Sequence, residues 1–149
     1  MALPVPPAGD LIALWPETLM TVTACGALIA DIVTPRDRKH LIGWGCFVAV
    51  CVTLLLLLVM PPQGGSLLAG MFMADGYSAF FKVLFLISTA LTVLISLRYL
   101  DDEGSHYGEY YALLLFAALG MMFMAGGGDL ITIYLGLELM SLPTYVLVG

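Results

Sequence analysis

An all-α, polytopic transmembrane bundle of about five helices is the fold class this sequence predicts. Three observations point to it. The 149 residues are 61% hydrophobic against 11% charged, the mean hydropathy is +1.02, and the apolar residues fall in runs long enough to cross a hydrocarbon layer of roughly 30 Å. The runs lack the strict alternation of a transmembrane barrel, so helices are the remaining way to satisfy buried backbone N–H and C=O groups. The first expected partner is the lipid bilayer. The formal charge of −6 carries no nucleic-acid reading, because most acids lie in short loops or at helix ends.

The segment Met1–Gly9 holds Pro4, Pro6 and Pro7 but no Lys or Arg. The charged start of a cleavable signal peptide is therefore missing, and the first apolar run is expected to stay as a membrane helix. That helix runs from Asp10 or Trp15 to Val33, with Pro16 in its first turn and Trp15 at the interface. Pro35 helps to stop it. The linker from Thr34 to His40 contains the one basic cluster, and a second helix occupies 41–60 before Pro61 and Pro62 end it. Trp44 anchors its near end.

Gln63 to Gly76 reads as a Gly-rich connector whose apolar patch, Leu67 to Met73, either lies on the membrane surface or forms a small hairpin. A third helix takes 77–99, and the polar stretch Asp101 to Gly108 follows, with Asp101, Asp102, Glu103 and His106 in a solvated loop. A fourth helix covers 109–125. Gly126, Gly127 and Gly128 make a tight turn, after which Asp129 caps a fifth helix over 129–149. The chain reads as one membrane domain, 1–149, cut short within that helix. Arg36, Arg38, Lys39 and Arg98 share one side if the helices alternate, which places that side in the cytoplasm and the N-terminus outside, in the periplasm.

Glu138 is the principal candidate for chemistry. It lies nine residues after Asp129, about 13 Å along the helix and close to the bilayer midplane. A carboxyl at that depth is costly if charged and typically marks an ion or proton pathway. Desolvation raises its pKa and a cationic neighbour lowers it, the balance a proton relay needs. The plain alternative is a protonated acid that merely hydrogen-bonds a neighbouring helix.

Tyr134, Ser141 and Tyr145 stand on the face of Glu138 as supporting candidates. Pro143 leaves the carbonyl of Leu139 without its helical partner. Lys82, about 9 Å into the third helix, reads as snorkelling to the interface, with a direct pair to Glu138 left open.

The remaining charges have plainer readings. Glu17, Asp75 and Glu109 sit in or beside first turns, where the helix dipole favours an acid, and Glu17 reads as interfacial. Asp31 reads as a structural ion-pair partner of Arg36 and Arg38, and His40 as part of the basic linker. Cys25, Cys46 and Cys51 lie in apolar runs without metal or disulfide spacing and read as buried small hydrophobes. Gly26-x-x-x-Ala30 has the spacing of close helix approach, and Met121, Met122 and Met124 give an adaptable face. No phosphate loop, flavin or nicotinamide fingerprint, haem motif or nucleophile elbow is present, so no cofactor is expected in this chain and any enzyme activity is shared with partners.

The segments Asp75-Gly-Tyr-Ser-Ala-Phe-Phe-Lys82, Glu109-Tyr-Tyr-Ala-Leu-Leu-Leu-Phe116 and Asp129-Leu-Ile-Thr-Ile-Tyr-Leu-Gly-Leu-Glu-Leu-Met-Ser-Leu-Pro-Thr-Tyr145 resemble the N-terminal part of the subunit N family of NADH-quinone oxidoreductase. These are antiporter-like membrane subunits of respiratory complex I. The resemblance implies a fourteen-helix subunit with two inverted five-helix repeats, each with a broken helix. It implies a proton pathway built from a glutamate on the fifth helix, matched by Glu138, and lysines on later helices. It further implies a place in the cell inner membrane among other membrane subunits of complex I, with NADH, quinone, FMN and iron–sulfur clusters handled by partner subunits. A multisubunit cation/proton antiporter and a purely structural membrane anchor are the competing readings.

Overall fold

Long unbroken apolar runs leave the backbone one economical way to bond itself, and the structure, a computed structural model, shows the outcome. It describes residues 12–35, 39–61, 65–103 and 108–149. Five helices are each long and apolar enough to cross a membrane: α1 (Trp15–Val33), α2 (His40–Val59), α3 (Gly76–Glu103), α4 (Gly108–Gly126) and α5 (Leu130–Val148). Arg36, Arg38 and His106 lie outside the described residues.

Helix α3 continues through Asp101–Glu103, where the sequence suggests a loop. Charged residues leave the apolar phase without obliging a helix to stop, and no Gly or Pro intervenes before Gly104.

The apolar patch after α2 is a hairpin. Strands β1 (Gly65–Leu67) and β2 (Phe72–Ala74) pair antiparallel around a short 3-10 turn, Leu68–Gly70. The turn is strained, since Leu68 and Ala69 take positive φ of 50° and 57°, a region L-residues seldom enter. The hairpin covers one end of the bundle. Its Phe72 ring packs against Gly126, and the N–H of Gly128 donates to the carbonyl of Met71 at 2.9 Å.

Helix α4 is the hub, lying against α1, α2, α3 and α5. Its buried Tyr111, Ala112, Leu115, Ala118, Leu119 and Met122 form the centre of the core. Helices α4 and α5 cross where Gly120 meets Gly136. A Cβ on Gly120 would reach the Gly136 carbonyl oxygen at 2.6 Å, and one on Gly136 the Met124 nitrogen at 2.9 Å. The small-residue spacing in α1 is not used in this way, because a Cβ on Gly26 meets nothing within 4 Å.

Threonines inside the helices satisfy their hydroxyls locally. Thr21, Thr53 and Thr89 donate to the carbonyls four residues earlier at 2.7 to 2.8 Å, which removes an exposed donor from an apolar surround. Of the cysteines only Cys46 is buried; Cys25 is exposed on the outer face of α1. In lipid an outward thiol is still in an apolar medium, so the expected burial within the protein is not needed.

Candidate functional site

Two acids lie inside the membrane-length helices at positions that matter, Glu17 and Glu138, and their surroundings differ sharply. Pro16 opens α1, as its fixed φ suits a first turn. Glu17 follows, and it is not interfacial as the sequence suggests: it is 2% exposed. Its carboxylate meets the Lys82 ammonium of α3 at 2.7 Å. Lys82 is 0% exposed, so it does not snorkel, and its partner is Glu17 rather than Glu138. The Phe72 ring of the hairpin stacks over the ammonium, 4.9 Å from nitrogen to ring centre, a cation–π contact that strengthens when desolvated.

The reason for the difference is helix neighbourhood. A lysine alone in an apolar helix reaches for water, but α1 and α3 both start at the hairpin end, and a carboxylate within reach offers a better solvent for the charge. The signal in the sequence is that Lys82 is a basic residue near the start of an apolar run and that Glu17 lies near the matching end of a parallel helix.

Glu138 sits in the middle of α5 and is partly buried. Of the stripe around it, Tyr134 is the residue whose hydroxyl interacts with the Glu138 side chain. The Ser141 hydroxyl instead donates to the backbone carbonyl of Glu138 at 3.3 Å and leaves the carboxylate alone. Tyr145 is 70% exposed. Pro143 is buried inside a helix that stays continuous, and its missing N–H leaves the Leu139 carbonyl without an i+4 donor.

At the opposite end of the bundle, Asp31 accepts from the Gly108 N–H at 2.9 Å and pairs with Lys39 at 2.8 Å. One carboxylate thereby caps α4 and ties α1 to the start of α2. A Cβ on Gly108 would fall on that carboxylate, which accounts for glycine there. Asp75 and Asp129 are helix caps as well, accepting from the N–H groups of Ser78 at 2.8 Å and Thr132 at 2.7 Å. Among the described residues no group of three or more His, Cys, Asp or Glu is placed to hold a metal ion.

These features define a multi-pass helical membrane protein with one sealed ion pair and one carboxyl in mid-helix. No family model matches the chain, but curated relatives do. The chain is 41% identical over 134 residues to NADH-quinone oxidoreductase subunit N 2 of Rhizobium meliloti, covering 90% of this chain. It is 42% identical over 146 residues to subunit N of Desulfovibrio desulfuricans, covering 97% of this chain, and 40% identical over 146 residues to subunit N of Desulfitobacterium hafniense, covering 94%. The chain is a relative of NADH-quinone oxidoreductase subunit N along nearly its whole length, and it spans 28–29% of the length of these three proteins.

Proposed function

We propose that the chain works as part of a proton-translocating membrane subunit of NADH-quinone oxidoreductase, in the cell inner membrane beside other membrane subunits of the complex, with its N-terminus on the periplasmic side. The observation that carries this reading is the likeness to subunit N over 90–97% of the chain, joined to an ionisable side chain in the middle of α5. NADH, quinone, FMN and iron–sulfur clusters belong to partner subunits, and this chain contributes no redox group.

Glu138 takes up and releases the proton in this reading. Tyr134, one turn earlier on the same face, lies beside the carboxyl group and helps to orient it. A cation brought close to a carboxylate favours its ionised form, and withdrawal of the cation favours protonation. The coupling of electron transfer to proton movement then runs through a Glu/Lys relay whose lysine is not Lys82, since Glu17 holds that ammonium.

The test is Glu138→Gln in the assembled complex. NADH oxidation and assembly persist, while proton release per NADH oxidised drops. Unchanged proton release with a fully assembled complex would leave Glu138 as a buried hydrogen-bonding group and favour the structural-anchor reading.

A further inference from the structure

Four buried polar atoms at the hairpin end lack a well-formed hydrogen bond: both carboxylate oxygens of Glu17, the Lys82 ammonium nitrogen and the Ser78 hydroxyl. Glu17 Oε1 and the Lys82 ammonium meet as an ion pair at 2.7 Å, but Glu17 Oε2 has no hydrogen-bond partner, and an ammonium with three N–H donors keeps surplus capacity. Ser78 is 1% exposed and stands four residues before Lys82, on the same face of α3. Three residues earlier again, the exposed Asp75 holds the Ser78 N–H at 2.8 Å. The positions 75, 78 and 82 therefore draw one polar line from the rim of the bundle to the sealed pair.

Buried polar groups in folded proteins are nearly all paired, and in an apolar surround an unpaired one is costly. A purely structural tie between α1 and α3 needs neither the serine nor the surplus oxygen. Alanine at 78 would occupy nearly the same volume without a hydroxyl to satisfy. The surplus capacity has the form required for moving a proton: a donor, an acceptor with a free lone pair, and a hydroxyl able to accept on one side while giving on the other.

We propose that Glu17, Lys82 and Ser78 form a second protonatable site, loaded from the hairpin side through Asp75 and separate from Glu138. This rests on the proton-translocating function above. In the loading step an N–H bond of the Lys82 ammonium breaks and an O–H bond forms on Glu17, turning ammonium and carboxylate into amine and carboxylic acid with no change in net charge. The amine then takes a proton passed by the Ser78 hydroxyl from the aqueous side. The site now holds one extra proton and one extra positive charge. The reverse sequence returns that proton.

Removing charge from an apolar interior offsets the lost ion-pair attraction, which brings the two forms of the pair close in energy. The Phe72 ring favours the ammonium, so a shift of the hairpin moves the balance toward the neutral pair. Competing charges are few. Among the described residues at this end, the hairpin strands, the last turns of α2 and the last turns of α4 carry no titratable side chain. Asp129 of α5 is engaged with Thr132.

Redox-triggered infrared difference spectra of the assembled complex carrying this chain provide the test, read in the carbonyl-stretch region of neutral carboxylic acids. The wild type and Glu138→Gln both show a band that disappears in Glu17→Gln. Ser78→Ala keeps the band but slows its deuterium exchange about tenfold. If Glu17→Gln does not assemble, the double variant Glu17→Gln/Lys82→Met, which leaves no unpaired charge, takes its place. Identical spectra in wild type and the Glu17 variant overturn the proposal, as does an exchange rate unaffected by Ser78→Ala. Because the band is read in the Glu138→Gln background too, a failed role for Glu138 is distinguishable from a failed second site.

Discussion

The Lys82 ammonium and the Glu17 carboxylate meet 2.7 Å apart with both side chains closed off from the surface, and each is the reason the other can be there. Replacing one alone strands a buried charge. Lys82→Met is expected to destabilise the bundle by about 3–5 kcal/mol, and Glu17→Leu/Lys82→Met to recover most of that loss. Thermal unfolding of the three proteins in the same detergent measures both steps. A double variant no more stable than the single one would show that packing, not charge, dominates the site.

Helices α4 and α5 touch through glycines. Gly120→Ala places a methyl against the backbone of α5 and is expected to cost about 1–3 kcal/mol, whereas Gly26→Ala, facing open space, is expected to be neutral or slightly stabilising through helix propensity. Unfolding midpoints of the two variants, measured side by side, check the contrast.

Asp31 caps α4 from another helix. Asp31→Ala removes both the cap and the Lys39 pair and is expected to cost about 1–2 kcal/mol, with faster hydrogen exchange at the Gly108 amide. Asp31→Asn retains an acceptor for that amide and should restore most of its protection.

The cap of α5 carries a pH dependence. Hydrogen bonds from the Thr132 side chain and backbone hold the Asp129 carboxyl below its ordinary value of 3.8. A depressed folded-state pKa stabilises the fold at pH above the unfolded value, and that contribution disappears as the pH falls through the lower folded value. The first turn of α5 is therefore expected to fray below about pH 4, seen as faster exchange of the Thr132 amide, and Asp129→Ala should show the same fraying at neutral pH.

Much of this architecture is legible in the sequence because one dominant force writes it. Apolar runs of membrane length, the prolines after Met60 and the glycines before Asp129 mark helices and turns without any knowledge of neighbours. Depth along a helix is legible too, which is how Glu138 stands out. Pairing across helices is not. Glu17 and Lys82 each look ordinary when read along their own helix, one as a first-turn acid and the other as a snorkelling lysine, and only the fold, which brings the starts of α1 and α3 within side-chain reach at the hairpin end, joins them. The sequence leaves the hairpin segment open between two readings, because a short apolar patch between glycines suits a stretch lying on the membrane surface as well as a strand pair.

The glycine crossing of α4 and α5 also sets a distance. Glu138 is the second residue after Gly136, and Gly136 rests on the α4 backbone. Two absent methyl groups thus fix how far an acid stands from the hub of the bundle, and a single added carbon at either glycine would move that acid without altering its chemistry.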